Sequence, residues 1–147
     1  MTNVVTVRNR GYLTQEVRAG EHVLAADEPR EDGGSDTGPN PYELLLGALG
    51  ACTSMTVQLY AKRKGWALEE VRVELSQDRL YGEDCAACEE RDVRMDRIRK
   101  RLWLRGVLDE TQRRRLWEIA ERCPVNRTLT GEVMMEMELV PAEEPWV

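Results

Sequence analysis

The sequence contains no apolar run as long as the roughly 18 residues that a membrane-spanning helix needs, so no membrane span is expected. It also has no excess of positive charge. Its net charge of −6 at pH 7 argues against nucleic acid as the main partner, because phosphate binding needs a positive field. The N-terminus lacks the charged-then-apolar layout of a signal peptide, so we expect a cytoplasmic protein.

The chain has one histidine and four cysteines. The cytoplasm keeps thiols reduced, so a structural disulfide framework is not expected, and redox chemistry or metal binding are the interpretations that remain. Of the 147 residues, 41% are hydrophobic and 33% are charged. This composition predicts a single soluble domain, residues 1–147, that is large enough to form a core.

Alternating apolar residues and turn signals predict an α+β fold with the element order β-β-β-α-β-β-α-β. Strands are predicted at residues 4–8, 13–18, 21–25, 71–75 with an extension to 79, 98–107 and 132–140. One face of the predicted strand 98–107 carries Ile98, Lys100, Leu102 and Leu104. One face of the predicted strand 132–140 carries Val133, Met135, Met137 and Leu139. Residues 80–97 are interpreted as a hairpin tip or insertion. The turn-rich segment 27–40 has a length typical of functional loops.

Capping boxes predict where both helices begin. Asn40 and Glu43 form the first box, with Pro41 at the first helical position, and this helix should end at Gly65. Because it is apolar over most of its circumference, we expect it to be buried on most sides. The second helix follows a box that begins at Asp109.

Cys52 and Cys123 fall on the predicted core faces of the two helices. Both helices should pack on one sheet, so the thiols could approach each other; alternatively, both are small buried hydrophobic residues. Pro124 forces Cys123 out of helical geometry, and Cys123 can then cap a short turn whose positive end lowers the pKa of its thiol. Cys52 lies in the middle of a helix, so a reactive Cys52 needs a cation, and Arg30 and Arg18 are the candidates.

Two segments, GPNPYELLLGALGACTSMTVQLYAKRKGW and ERCPVNRTL, resemble the OsmC/Ohr family of thiol-dependent organic hydroperoxide reductases over nearly the whole chain. The resemblance implies an intertwined homodimer with its active sites at the interface. It also implies that Cys52 attacks the peroxide and becomes a sulfenic acid, and that Cys123 condenses with it to a disulfide. An external dithiol, lipoyl or thioredoxin-like, then reduces this disulfide.

In that family an arginine and a glutamate assist the first thiol, and here we favour Arg30 over Arg18. The glutamate follows the proline that matches Pro41, whereas this chain has Tyr42 there and Glu43 one step later. One step turns a helix by about 100°, so Glu43 either assists the thiol or serves only the capping box. These differences indicate a general OsmC-like branch.

Cys85 and Cys88 form a CAAC motif with the spacing of half a metal site or of a redox pair. A zinc site needs about four ligands, and two copies of the motif across a dimer would supply them. Thiols without a role, a zinc or dimer-bridging site, and an auxiliary redox pair all remain open. His22 is interpreted as structural or as a polar group of a pocket.

Together, these residues and the resemblance predict a peroxidase for small organic hydroperoxides. Tyr42, Leu49 and Met55 are the predicted substrate-binding residues, because an apolar wall favours an alkyl tail. No cofactor, resident metal, nucleic acid or membrane is expected as a partner. One alternative is a binding protein that holds a small apolar or electrophilic ligand without turnover. The other is a metal-bridged structural dimer built through Cys85 and Cys88.

Overall fold

The computed structural model describes residues 2–81 and 94–145. Its elements are β1 (Thr6–Asn9), β2 (Gln15–Ala19), β3 (His22–Ala26), α1 (Pro41–Lys64), β4 (Ala67–Tyr81), β5 (Arg94–Val107), α2 (Glu110–Ala120) and α3 (Pro124–Thr130), with a 3-10 turn at Arg30–Asp32. Strands β1, β2 and β3 form one antiparallel sheet in that order, and β4 and β5 form a second. The α+β class predicted from the sequence is confirmed.

The helix boundaries follow the local signals in the sequence. The backbone N–H of Glu43 donates to the Asn40 side chain at 2.9 Å, and the backbone N–H of Asn40 donates to the Glu43 carboxylate at 2.8 Å. Asp109 and Gln112 make the same reciprocal pair before α2. Gly65 ends α1 with φ of 71°, in the left-handed region that glycine adopts easily.

The core lies between α1, α2 and the β4–β5 hairpin. Val57 and Ala61 of α1 meet Leu116 and Ala120 of α2, and all four are buried. Side chains that pack around this cluster come from Tyr60, Trp66, Leu68, Val71, Leu102, Leu104 and Leu108. The hairpin therefore supports both helices, and the chain just past the end of α2 lies beside the middle of α1, where Thr53 meets Cys123.

Helix α1 is buried on one face only within the protomer, which corrects the expectation that it is buried on most sides. The buried residues are Leu49, Gly50, Thr53, Val57 and Ala61. Leu45, Met55 and Leu59 stay exposed, although the sequence placed them on the same core stripe as Cys52. An almost uniformly apolar helix has little periodicity, so its sequence does not reveal which face is the core. α1 is also long and apolar enough to cross a membrane, judged by length and composition alone. The core helices of soluble proteins can have the same length and composition.

The second sheet is longer than predicted. Cross-strand pairs continue to Tyr81 and Arg94, so both ends of the segment interpreted as a hairpin tip, residues 80–97, belong to the strands. The rest of that segment, residues 82–93, lies outside the described residues. Beyond the apolar stretch the pairing is supported by ion pairs that connect Asp78 with Arg97 and Arg79 with Asp96. Polar strands of this kind show little apolar alternation, which is why the sequence pattern marked shorter strands.

The predicted last strand, residues 132–140, is not a strand in the protomer. All nine of its residues are exposed, including Met137 at 100% and Leu139 at 95%. A strand needs a neighbouring strand for its backbone hydrogen bonds, and neither described sheet pairs with this segment. The prediction of a strand within one chain was wrong. Alternation of apolar residues indicates a tendency to form a strand, but it does not show that a partner strand is present.

Candidate active site

Cys123 begins α3, as its position before Pro124 predicted. Its backbone is extended, Pro124 occupies the first helical position, and the backbone N–H of Asn126 donates to the Cys123 sulfur at 3.4 Å. The side chain is fully buried, with 0% exposure. The sequence therefore places this thiol at the positive end of a short helix and away from solvent.

Helix α1 brings two side chains against Cys123. The Thr53 hydroxyl lies 3.5 Å from the Cys123 sulfur and 2.8 Å from the backbone oxygen of Leu49. The Cys52 side chain lies near enough to Cys123 to lower the pKa of its thiol, and both cysteines are free. Cys52 is only half-buried. The structure thus brings a half-buried cysteine near a fully buried one.

The surroundings of Cys123 favour its ionised form. Burial raises the pKa of the thiol, and it is the largest single influence. Hydrogen bonds with Thr53 and the Asn126 N–H, the nearby Cys52 side chain and the charge of Lys100 act in the opposite direction and lower the pKa. Their combined effect holds the pKa of Cys123 below its ordinary value, and such a thiol is more often present as the nucleophilic thiolate.

The two candidate arginines lie on separate elements. Arg18 on β2 is exposed and forms an ion pair with Glu16 at 3.3 Å. Arg30 is exposed on the 3-10 turn. Neither is among the groups that act on Cys123, and their roles toward Cys52 stay predictions. The Glu43 carboxylate is engaged in the capping box of α1, and a catalytic role for it also stays a prediction.

The three predicted substrate-binding residues lie in different surroundings. Leu49 is buried, whereas Tyr42 and Met55 are exposed. None of them lines the groove of about 440 Å³ between α1 and the turn from α2 to α3. The lining residues of this groove are Thr56, Leu59, Tyr60, Arg63, Ile119, Arg122, Pro124 and Arg127. Neither cysteine lines the groove, although it includes Pro124, which follows Cys123 in the chain; its lining combines an apolar wall with three arginines.

The loop between β3 and α1 is organised by a carboxylate that the sequence analysis did not single out. Asp27 is only 2% exposed and accepts hydrogen bonds from the Thr37 hydroxyl at 2.6 Å and the Thr14 hydroxyl at 3.0 Å. The backbone N–H groups of Glu28, Ser35 and Thr37 also donate to it. The Thr37 hydroxyl makes the largest contribution, and together these bonds hold the pKa of Asp27 far below its ordinary value.

The remaining sequence predictions concern metal ligands. Cys85 and Cys88 lie outside the described residues. Within residues 2–81 and 94–145 there is no cluster of three or more histidine, cysteine, aspartate or glutamate side chains that could hold a metal ion. His22 is exposed at the start of β3, and its interpretation as structural or as a polar group of a pocket stays a prediction.

Two residues of the site, Thr53 and Lys100, were not predicted as functional. The signal for Lys100 was visible, because it interrupts an otherwise apolar face of β5. Thr53 follows Cys52 directly, and only the orientation of α1 determines that its hydroxyl meets Cys123.

Comparisons with known proteins agree with this architecture. The sequence model of the family described as OsmC-like protein matches residues 33–138. No curated protein matches the chain in sequence.

Solved structures resemble the chain over most of their length. An OsmC-like protein from Mycoplasma pneumoniae is 19% identical, with a TM-score of 0.70 and 89% of each chain covered. An organic hydroperoxide resistance protein OsmC from Legionella pneumophila is 21% identical, with a TM-score of 0.63, covering 89% of this chain and 90% of that one. The organic hydroperoxide resistance protein OhrB of Bacillus subtilis is 20% identical, with a TM-score of 0.60, covering 89% and 92%. At these identities the likeness shows a shared fold.

Proposed function

Since the chain belongs to the OsmC-like family, we propose that it is a thiol-dependent peroxidase that reduces organic hydroperoxides with Cys52 and Cys123. The observation that carries the proposal is that a half-buried Cys52 lies near a fully buried Cys123 and lowers the pKa of its thiol. The residue that would meet a peroxide first is the more exposed one, Cys52. This difference in access supports Cys52 as the thiol that reacts with substrate and Cys123 as the one that resolves it.

In the first step the Cys52 sulfur attacks one oxygen of the hydroperoxide. The O–O bond breaks, the alcohol leaves with a proton, and Cys52 becomes a sulfenic acid. Arg30, or else Arg18, would stabilise the Cys52 thiolate, and Glu43 would assist. The apolar wall of the groove, which includes Leu59 and Ile119, would hold the alkyl part of the substrate.

In the second step Cys123 attacks the sulfur of the sulfenic acid. A disulfide forms, and the proton of Cys123 leaves with the hydroxyl group of Cys52 as water. The Cys52 side chain already lies near enough to Cys123 to lower the pKa of its thiol, and this proximity favours the closure. A dithiol protein or lipoyl group would then reduce the disulfide by thiol exchange. The cycle needs no cofactor, and the cytoplasmic location stays a prediction.

Anaerobic thiol counting tests the proposal. The reduced chain has four thiols, and one equivalent of cumene hydroperoxide should remove two of them. The Cys52→Ser variant should lose none, because nothing reacts with the peroxide. The Cys123→Ser variant should form a sulfenic acid that dimedone traps, because nothing resolves it.

The matched control is the Cys85→Ser/Cys88→Ser variant, which should lose both of its remaining thiols to the same extent as the wild type. If the wild type loses no thiol, the enzyme proposal fails and ligand binding without turnover is favoured. If the control loses none, the CAAC motif is the redox pair and the wrong cysteines were chosen.

A further inference from the structure

Strand β5 carries a lysine on its core-facing side. Lys100 is half-buried between Ile98 and Leu102 on that face, and its partner in the sheet register is Leu75 of β4. A charged side chain in an apolar setting needs a polar partner, because leaving its ammonium group unpaired there is energetically unfavourable. The position of Lys100 therefore raises the question of what its ammonium group contacts.

The ammonium group reaches the end of α2. The Lys100 Nζ donates to the backbone oxygen of Ala120 at 3.1 Å, and Ala120 is the last residue of that helix. Helix C-termini carry partial negative charge, so this is a favourable position for a cation. Ala120 lies three residues before Cys123 in the chain, and the charge of Lys100 acts on the buried thiol.

We propose that Lys100 is a positioning residue for the resolving step: held by the Ala120 carbonyl, its ammonium group supplies the positive charge that prepares Cys123 to attack oxidised Cys52. The inference deepens the proposed peroxidase function and rests on it. The residues expected from the sequence to supply a cation, Arg30 and Arg18, were assigned to Cys52. Lys100 would serve the other thiol.

The electrostatic surroundings of Cys123 support this assignment. The charged or titratable groups named as acting on it are Cys52 on α1 and Lys100 on β5. Near it along the chain stand Glu121, Arg122 and Arg127, which are exposed, so water and salt screen their charges. Burial raises the pKa of the Cys123 thiol, hydrogen bonds with Thr53 and the Asn126 N–H lower it, and the charge of half-buried Lys100 lowers it further.

Lys100 makes and breaks no bond when the disulfide forms, so the step stays balanced. Cys123 loses its proton, its sulfur forms a bond to the Cys52 sulfur, and the S–O bond of the sulfenic acid breaks. The hydroxyl group leaves with one proton as water. Lys100 keeps its own proton throughout, and its role is to raise the fraction of Cys123 that is thiolate at neutral pH.

The decisive variant is Lys100→Gln, because glutamine can still donate to the Ala120 carbonyl but carries no charge. Lys100→Arg keeps the charge. Arg99→Met is the matched control, since it removes a positive charge from the neighbouring exposed position of β5. The pH titration of thiolate absorbance is measured in a background with Cys52→Ser, Cys85→Ser and Cys88→Ser, where Cys123 is the only thiol.

We expect Lys100→Gln to move the titration of Cys123 to higher pH and to slow disulfide formation at neutral pH roughly three- to tenfold. Formation of the Cys52 sulfenic acid, measured by stopped flow with dimedone trapping in the otherwise natural chain, should be unchanged. Lys100→Arg and Arg99→Met should titrate like the chain without these changes.

Two outcomes overturn the inference. One is an unchanged titration in Lys100→Gln. The other is an equal shift of the Cys123 titration in Lys100→Arg. That variant keeps the positive charge, so an equal shift would show that only the packing of the lysine side chain matters. If the wild type forms no sulfenic acid with any hydroperoxide, the proposed function fails instead, while the titration still reports whether Lys100 acts on Cys123.

Discussion

The two cysteines are residues of the same type in different surroundings, and single neighbouring side chains determine the surroundings of Cys123. The Thr53 hydroxyl has one hydrogen, and the Leu49 carbonyl can only accept it. When that hydrogen points at Leu49, a neutral Cys123 can donate to the hydroxyl oxygen. When Cys123 is ionised, the hydroxyl can turn and donate to the sulfur, 3.5 Å away. Thr53 can therefore serve either protonation state of the thiol.

Replacement of Thr53 by valine removes this hydroxyl at nearly constant volume. Because the hydroxyl stabilises the thiolate, Thr53→Val should raise the pKa of Cys123 and slow disulfide formation several-fold at neutral pH. Stability should fall by about 1 kcal/mol, the usual effect of losing one buried hydrogen bond. Stopped-flow measurement of disulfide formation against pH checks this, with Thr53→Ser as the control that keeps the hydroxyl. A Thr53→Val profile identical to that of Thr53→Ser would contradict the role.

At the scale of elements, the loop from β3 to α1 behaves as a structured unit around one buried carboxylate. Asp27 gathers donors from both ends of the loop, and two glycines let the backbone pass close by. A Cβ atom on Gly34 would lie 1.9 Å from the Glu28 oxygen, and one on Gly38 would lie 2.5 Å from the Ala25 oxygen. The loop that carries Arg30 is thus fixed by Asp27 and by the absence of side chains at two positions.

The substitution Asp27→Asn should destabilise the protein in a pH-dependent way. An amide can accept fewer of these hydrogen bonds, so the variant should melt at a lower temperature than the wild type at neutral pH. The depressed pKa of Asp27 in the folded state means that its contribution is present above the unfolded pKa of about 3.9. As pH falls below that value toward the folded pKa, the contribution is lost.

The measurement is thermal unfolding at a series of pH values. The difference in melting temperature between wild type and Asp27→Asn should be constant near neutral pH and should narrow as the solution becomes acidic below about pH 4. Asp32→Asn, an exposed aspartate of the same loop, is the control and should change little. A difference that widens on acidification would show that the sign of the argument is wrong.

The elements also show which parts of the fold a sequence can encode locally. The caps at Asn40, Gly65 and Asp109 form with residues only a few positions away in the sequence. The positions of α1 and α2 could therefore be predicted closely. The pairing of Cys52 with Cys123 was anticipated because both lie on packed helices, and the family resemblance singled out the same pair. The contact of Lys100 with Ala120 and the donors around Asp27 join residues that are distant in sequence, and no local pattern records such contacts.

At the scale of the whole molecule, the protomer leaves much apolar surface uncovered. The sheet of β1, β2 and β3 exposes Val7, Val23 and Leu24, α1 exposes Leu45, Met55 and Leu59, and residues 132–140 expose Met135, Met137 and Leu139. Monomeric soluble proteins rarely expose apolar patches of this extent. A second copy of the chain is the occupant that we propose, because it could cover α1 and give the segment 132–140 a strand to pair with. Since Cys52 lies on the partly exposed side of α1, such a homodimer would place both active sites near its interface.

The substitution Met137→Glu tests the homodimer. Met137 lies on the apolar side of the alternating segment 132–140, whereas Met134 lies on the opposite side, and both are exposed in the protomer. If strand pairing with a second copy buries the first side, a carboxylate at position 137 becomes costly, and the dimer dissociation constant should rise roughly ten- to a hundredfold. Light scattering coupled to size exclusion should give the wild type twice the chain mass of 16.9 kDa. Met134→Glu should give the same mass, whereas Met137→Glu should shift toward the monomer on dilution. A wild type that stays at the chain mass at every concentration would refute the homodimer, and equal dissociation of both variants would refute the pairing of this segment.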